Sequence, residues 1–181
     1  MPPEKRASVD GRRRFPREEF ADVLEGNARY VEGFQGQELT GRAACGLAVV
    51  TCIDSRIDPL ALLGLNAGDG KILRNAGARV TDDVLRTLVL ATYLLNVRRV
   101  LVMAHTDCKM ASATEARIHS EIEARGGPDT RGLEFRVIDD QSEALAADVA
   151  RIRAYPLLPT SLVVAGAIYD VHTGRLEPIG V

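Results

Sequence analysis

The sequence lacks tryptophan and has few other aromatic residues, with four tyrosines and four phenylalanines in 181 residues. A surface that stacks nucleic-acid bases is therefore not expected. The formal net charge is only −2, so no strong overall field attracts nucleic acid or an anionic membrane. No apolar run approaches the roughly 20 residues that a membrane-spanning helix requires. The expected molecule is a globular protein with neither nucleic acid nor a membrane as its partner.

Cysteine is also scarce, with only Cys45, Cys52 and Cys108. Three cysteines and no apolar export signal argue against a disulfide framework and favour a reducing, cytoplasmic environment. In that environment the three thiols are expected to be metal ligands or buried side chains. Cys45 has no motif around it and is expected to be a buried thiol.

The length suits one well-buried domain better than two. Residues 1–16 are rich in arginine and lysine and have no apolar pattern, so a disordered basic leader is expected there. Residues 17–181 are expected to form the single domain.

Apolar patterns alternate along the rest of the chain between two kinds of segment. Short apolar runs predict strands at residues 46–51, 71–73, 99–104 and 161–169, with a short final strand after a turn at 172–174. Amphipathic patterns predict helices at 17–34, 81–96, 110–124 and 141–154. Strands that alternate with helices predict an α/β fold, with a mainly parallel central sheet flanked by helices.

Two of the predicted buried strands run directly into residues that can bind a metal. Cys52 follows the first strand, and His105 and Cys108 follow the strand at 99–104. If these strands are neighbours, the two thiols and the imidazole meet at one edge of the sheet. Sulfur and nitrogen ligands of this kind suit Zn²⁺, and three of them leave a fourth tetrahedral position open, as in catalytic sites.

Each pattern alone has a simpler explanation. A cysteine at a strand end is often a small buried apolar residue, and Asp54 and Arg56 could form an ordinary ion pair. The occurrence of C-x-D-x-R after one predicted strand and of H-x-x-C after another favours the metal site. No G-x-G-x-x-G segment follows a strand, so dinucleotide binding is not expected.

Asp54 and Arg56 lie on the segment that follows Cys52. A carboxylate in that position could orient a water molecule at the metal, or could itself bind the metal as a fourth ligand. A guanidinium that holds the carboxylate in a bidentate pair would keep it ionised and away from the metal. The pair therefore predicts an open state, and metal-bound Asp54 a closed state.

The segments TCIDSR, ILRNAGARV and AHTDCKM, in this order and spacing, closely resemble the short form of the β-carbonic anhydrases. The resemblance extends to GAIYDVHTGRL near the C-terminus. It implies that Cys52, His105 and Cys108 bind zinc and that Asp54 and Arg56 form a catalytic dyad. It also implies that Asn75, Ala76 and Gly77 line the site where bicarbonate binds.

The resemblance further implies a zinc-dependent lyase that reversibly hydrates carbon dioxide to bicarbonate and a proton, by attack of zinc-bound hydroxide. The family fold places the N-terminal helix across a partner subunit, which implies a homodimer or a multiple of dimers. Lys109 and Lys71 depart from the usual family pattern and leave details of substrate binding open. Two alternatives remain: a hydrolase of CS₂ or carbonyl sulfide on the same site, and a zinc-binding member without turnover.

Overall fold

The computed structural model describes residues 15–181. The predicted basic leader, residues 1–16, lies outside the described residues apart from its last two. The described residues divide into two compact units, one that ends at residue 38 and one that spans residues 39–181. The single domain over 17–181 stays a prediction.

The first unit contains helix α1, Ala21–Glu32, which is shorter than the helix predicted at 17–34. Phe20 precedes it without a side-chain cap, and Gly33 ends it. None of its residues is buried. The apolar side chains of Val23, Leu24 and Val31 are all exposed, so α1 carries an apolar face with no side chain buried among the described residues.

The second unit is built on a five-stranded sheet in the order β2-β1-β3-β4-β5. The strands are β1 (Leu47–Cys52), β2 (Gly70–Asn75), β3 (Arg99–His105), β4 (Val163–Tyr169) and β5 (Leu176–Ile179). Strands β2, β1, β3 and β4 are parallel to their neighbours, and β5 alone is antiparallel, to β4. The predicted α/β fold with a mainly parallel sheet is confirmed.

Four helices accompany the sheet in this unit: α2 (Pro59–Leu62), α3 (Asp82–Leu94), α4 (Glu115–Ala124) and α5 (Gln141–Arg153). A capping side chain begins each of the long ones. Thr81 accepts a hydrogen bond from the N–H of Val84, and Asp140 accepts one from the N–H of Glu143. These caps satisfy backbone donors that the first helical turn leaves free.

Alternate residues of the central strands pack on opposite faces of the sheet. Val50 and Val102 lie in one apolar cluster with Leu88 of α3 and Val149 of α5. A second cluster covers the other face: Val49, Met103, Ile57, Met110, Ile138 and the sulfur-bearing side chains of Cys52 and Cys108. The sheet is thus buried on both faces, as the continuous apolar runs of its central strands predicted.

The helix predicted at 110–124 is wrong in its first part. Residues Lys109–Ala111 form a single 3₁₀ turn, and α4 begins only at Glu115. The carbonyl of Met110 accepts a hydrogen bond from the N–H of Ile138, which draws this segment away from a helical path. Thr114 then caps α4 by accepting from the N–H of Arg117. Cys108 therefore precedes one short turn and not the long helix expected after it.

Within residues 15–181, the helices are all too short or too polar to cross a lipid bilayer.

Leu88 of α3 is fully buried in the first cluster. We expect Leu88→Ala to lower the free energy of unfolding by about 2–5 kcal/mol, because the truncation leaves a cavity. Arg86→Ala, two residues away on the exposed side of the same helix, should change it by less than about 1 kcal/mol. Urea denaturation at matched protein concentration measures both, and equal losses would contradict this packing.

Candidate metal centre

The candidate metal ligands converge because β1 and β3 are adjacent and parallel. Thr51 lies opposite Met103 in the register of the two strands, so the strands end at the same edge of the sheet. Cys52 is the last residue of β1 and His105 the last of β3. Cys108 follows after two residues, and one ligand atom from each of the three lies within 4.8 Å of the others. The sequence prediction that these strands are neighbours is confirmed.

All three side chains are buried, with exposed fractions of 5% for Cys52, 1% for His105 and 3% for Cys108. Nδ1 of His105 lies 2.8 Å from the carbonyl oxygen of Thr106. A carbonyl can only accept, so Nδ1 carries the proton and Nε2 offers a lone pair. Nε2 is buried and has no hydrogen-bond partner among residues 15–181. A buried ring nitrogen with a free lone pair and no hydrogen-bond partner is typical of a histidine that binds a metal.

The pKa values of Cys52 and Cys108 depend on the contact between the two sulfurs and on their burial. Interaction with Cys108 lowers the pKa of Cys52, and this outweighs burial, which raises it. The same interaction, together with burial, raises the pKa of Cys108. The backbone N–H of Gly77 donates to Sγ of Cys52 at 3.4 Å. A divalent metal between the two sulfurs would stabilise both as thiolates.

Asp54 and Arg56 form a bidentate pair beside this group. Nε of Arg56 donates to Oδ1 of Asp54 at 3.0 Å, and Nη2 donates to Oδ2 at 2.8 Å. The backbone N–H of Arg56 also donates to Oδ1, at 2.9 Å. These bonds hold the pKa of Asp54 well below its usual range. The chain therefore has the arrangement in which Arg56 pairs with an ionised Asp54.

A second arginine fixes the backbone of the same segment. Arg74, on β2, donates to the carbonyl oxygens of Cys52, Asp54 and Ile57 at 2.8, 2.6 and 3.1 Å. One guanidinium thus satisfies three backbone acceptors at and after the end of β1. Arg74 belongs to the segment ILRNAGARV, whose sequence does not indicate this contact.

The segment of Asn75, Ala76 and Gly77 lies next to Cys52 as a tight turn. Gly77 has a φ of +77°, and a Cβ there would lie 3.2 Å from the side chain of Met110, so glycine is required on both counts. The side chain of Asn75 donates to the carbonyl of Arg79 and accepts from its N–H. The turn is thereby closed on itself, and its side-chain amide is already engaged within the protein.

Arg79 anchors the turn to helix α5. Its Nε donates to Oδ2 of Asp148 at 2.7 Å, and the Asp148 side chain is 7% exposed. Another α5 residue, Gln141, donates from Nε2 to the carbonyl of His105 at 2.6 Å. Helix α5 therefore supports both the turn beside Cys52 and the backbone of the histidine ligand.

Comparison with known proteins assigns the family. A family model described as carbonic anhydrase matches residues 47–128, which include all three candidate ligands. The β-carbonic anhydrase 1 of Mycobacterium tuberculosis is 32% identical over 160 residues, covering 87% of this chain and 96% of that protein. The chain belongs to the β-carbonic anhydrase family.

Two further relatives are named for two different enzymes. The crystal structure of a carbonic anhydrase from Streptococcus mutans matches this β-carbonic anhydrase with a TM-score of 0.84 and 36% identity, covering 89% of this chain and 97% of that one. A carbon disulfide hydrolase of Acidithiobacillus thiooxidans is 29% identical over 151 residues, covering 73% of this chain and 76% of that protein.

Zinc is the cofactor of this enzyme family that fits the residues present. Two sulfurs and an imidazole nitrogen are the ligand types that Zn²⁺ prefers. The buried and unpartnered Nε2 of His105 and the close approach of Cys52 and Cys108 are the observations that such an ion explains.

Some features of this β-carbonic anhydrase were not evident in its sequence. Cys45 is exposed, so the expectation of a buried thiol is wrong. Asp107, between two of the ligands, binds Arg56; the HTDC motif held that residue but gave no reason to assign it a role. Lys109 lies near Glu121 at 3.5 Å, and Nζ of Lys71 donates to the carbonyl of Gly41. Within the described residues, each of these two lysines thus has a partner in its own chain.

The exposure of the three cysteines provides a matched test of the metal site. We expect the purified protein to hold one zinc per chain, Cys108→Ala to lose most of it, and Cys45→Ala to retain it, because only Cys108 lies in the ligand group. Elemental analysis measures the zinc, and a thiol reagent should modify only Cys45 until a chelator removes the metal. Full zinc content in Cys108→Ala would contradict this assignment.

Proposed function

We propose that this protein catalyses the zinc-dependent, reversible hydration of carbon dioxide to bicarbonate and a proton, with Cys52, His105 and Cys108 as the metal ligands. The observation that carries the proposal is the ionised carboxylate of Asp54, held by Arg56 two residues from a buried Cys-His-Cys group. Membership of the β-carbonic anhydrase family, with 32% identity across 87% of the chain, supports the same reaction.

Zinc, when bound, supplies a Lewis acid that makes water nucleophilic near neutral pH. The part of Asp54 in this proposal is to accept a hydrogen bond from the attacking water and so direct its lone pair towards the carbon of CO₂. Arg56 supports that part, because its hydrogen bonds lower the pKa of Asp54 and so keep it ionised, and an acceptor, near neutral pH.

The hydrogen bonds also distinguish the two oxygens of Asp54. Oδ1 accepts from both the backbone N–H and Nε of Arg56, whereas Oδ2 accepts only from Nη2. Each carboxylate oxygen has two lone pairs, so Oδ1 is fully engaged and Oδ2 keeps one free. We assign the contact with the reacting water to Oδ2. Release of Arg56 would instead free the carboxylate to become a fourth metal ligand, the closed state.

The segment of Asn75, Ala76 and Gly77 is proposed to line the substrate site, since it lies against Cys52. Its geometry limits what each group can contribute. The Asn75 amide is used within the turn, and the N–H of Gly77 is directed to Sγ of Cys52. In this proposal the turn forms the wall of the substrate site beside Sγ of Cys52. The backbone N–H of Gly77 would divide its hydrogen bond between that sulfur and bicarbonate.

The catalytic proposal is tested by Asp54→Asn, which is similar in shape but neutral. We expect the rate of CO₂ hydration, measured by stopped flow, to fall about 10- to 100-fold, because the amide disrupts the pair with Arg56 and orients the water poorly. Zinc content should stay at one per chain, since Asp54 is not among the three ligands. Asp139→Asn, an exposed residue of the loop before α5, is the control and should leave the rate unchanged. Unchanged hydration in Asp54→Asn would remove this residue from the scheme.

Carbon disulfide and carbonyl sulfide are the second candidate substrates, because relatives named carbon disulfide hydrolase cover 73% of this chain. Both are linear, apolar electrophiles that resemble CO₂. A sulfide-release assay on the same preparation separates them, and turnover of either that exceeds CO₂ hydration would favour the hydrolase. One zinc per chain with no turnover of any of the three would favour a zinc-binding protein without catalysis.

We also propose that the protein is a cytoplasmic homodimer, or a multiple of one. Two thiols that must remain reduced to bind zinc suit a reducing compartment. The apolar face of α1 suits a partner, because large exposed side chains on one helix commonly mark an interface. These side chains are Val23, Leu24 and Val31 of α1, with Phe20 and Phe34 just outside its two ends.

The dimer proposal is tested on α1. We expect the double variant Val23→Asp and Val31→Asp to shift the protein from dimer to monomer in sedimentation velocity, because two carboxylates would be buried without partners. Arg29→Glu lies on the opposite side of the helix and should leave the dimer intact. A wild-type protein that sediments as a monomer, or a double variant that stays dimeric, would contradict this part of the proposal.

A further inference from the structure

Arg56 has a second carboxylate partner in addition to Asp54. Its Nη1 donates to Oδ2 of Asp107 at 2.8 Å, and its Nη2 donates to the backbone carbonyl of Asp107 at 3.1 Å. With the two bonds to Asp54, four of the five N–H donors of the guanidinium are engaged. Arg56 therefore connects the segment after β1 with the segment after β3, the same two segments that carry the metal ligands.

Asp107 meets Arg56 through an uncommon backbone conformation. Its φ is +54°, a left-handed value that residues other than glycine, asparagine and aspartate rarely adopt. This conformation presents both the carbonyl and the carboxylate of one residue to the same guanidinium. It occurs between His105 and Cys108, where the chain must turn back to bring the second sulfur to the first.

We propose that Asp107 is a positioning residue for the dyad: it holds the Arg56 guanidinium in the orientation from which Arg56 grips Asp54 with two hydrogen bonds. Asp54 and Arg56 lie two positions apart on one segment, and the Arg56 side chain is 40% exposed, so a contact from a second segment adds a constraint that the pair alone lacks. Asp107 binds the guanidinium of Arg56 on the side away from Nε. The two carboxylates, of Asp54 and Asp107, together fix the orientation of the guanidinium plane.

Burial distinguishes positioning from a role in folding. The Asp107 side chain is 62% exposed, and exposed ion pairs contribute little to the stability of a protein. Removal of its carboxylate should therefore leave the fold unchanged while it frees Arg56. The chain has comparable exposed pairs elsewhere, such as Asp83 with Arg86 on α3, where no such effect on activity is expected.

Two substitutions at position 107 separate the side chain from the backbone. Glycine and asparagine both accept a φ of +54°, so neither Asp107→Gly nor Asp107→Asn should strain the turn. Asp107→Gly removes the acceptor of Nη1, whereas Asp107→Asn replaces it with an amide oxygen. Asp83→Asn is the matched control, because it neutralises an exposed arginine partner far along the chain from the ligands.

The first measurement follows Arg56 itself. In zinc-loaded, ¹⁵N-labelled protein, the Nε–H signal of Arg56 is assigned by its loss in Arg56→Lys, and its exchange with water is measured by NMR. We expect exchange several-fold faster in Asp107→Gly than in wild type, with Asp107→Asn in between and Asp83→Asn unchanged. An exchange rate in Asp107→Gly equal to that of the wild type would overturn the proposal, whatever its activity.

The second measurement is the rate of CO₂ hydration, which rests on the proposed function. We expect kcat to fall about tenfold in Asp107→Gly and less in Asp107→Asn, with one zinc per chain and an unchanged denaturation midpoint in both. Equal loss of stability and activity in the two variants would show a merely structural role and overturn the proposal. If wild-type protein fails to hydrate CO₂, the function is wrong, while the exchange measurement still decides the role of Asp107.

Discussion

The site depends on the parallel pairing of β1 with β3, which brings the carboxyl ends of two distant stretches of chain to one place. Cys52 ends one strand and His105 ends the other, and only two residues separate His105 from Cys108. The apolar side chains of both strands are buried on both faces of the sheet, so a slip in register would disrupt the packing of both apolar clusters. The energy of the core thus fixes the distances between the three ligand atoms.

At the ends of the strands, arginine side chains bind backbone carbonyls that the sheet leaves free. Arg74 binds three carbonyls at and after the end of β1, and Arg56 joins that segment to the one after β3. Arg79 holds the turn beside Cys52 against Asp148 of α5. Planar groups with several donors are suited to this task, because one side chain can fix several acceptors at once. The carboxylate of Asp54 owes its place and its charge to this framework.

The parts of the structure that the sequence predicted are those in which local pattern and final position agree. Apolar runs identified β1, β3 and β4, and the residues at and after the ends of β1 and β3 predicted the candidate ligands and the pair of Asp54 and Arg56. The role of Asp107 could not be predicted, since it requires a left-handed backbone and a contact with a residue 51 positions away. The late start of α4 likewise follows from the contact of Met110 with Ile138, which is remote in sequence.

X-ray absorption at the zinc edge tests the central claim most directly, because it reports the atoms around the ion in solution. The account predicts two sulfur neighbours at about 2.3 Å and one imidazole nitrogen at about 2.0–2.1 Å, with a fourth light atom from water or a carboxylate. Four sulfur neighbours, or a zinc without sulfur, would contradict it, since then Cys52, His105 and Cys108 would not together hold a single ion.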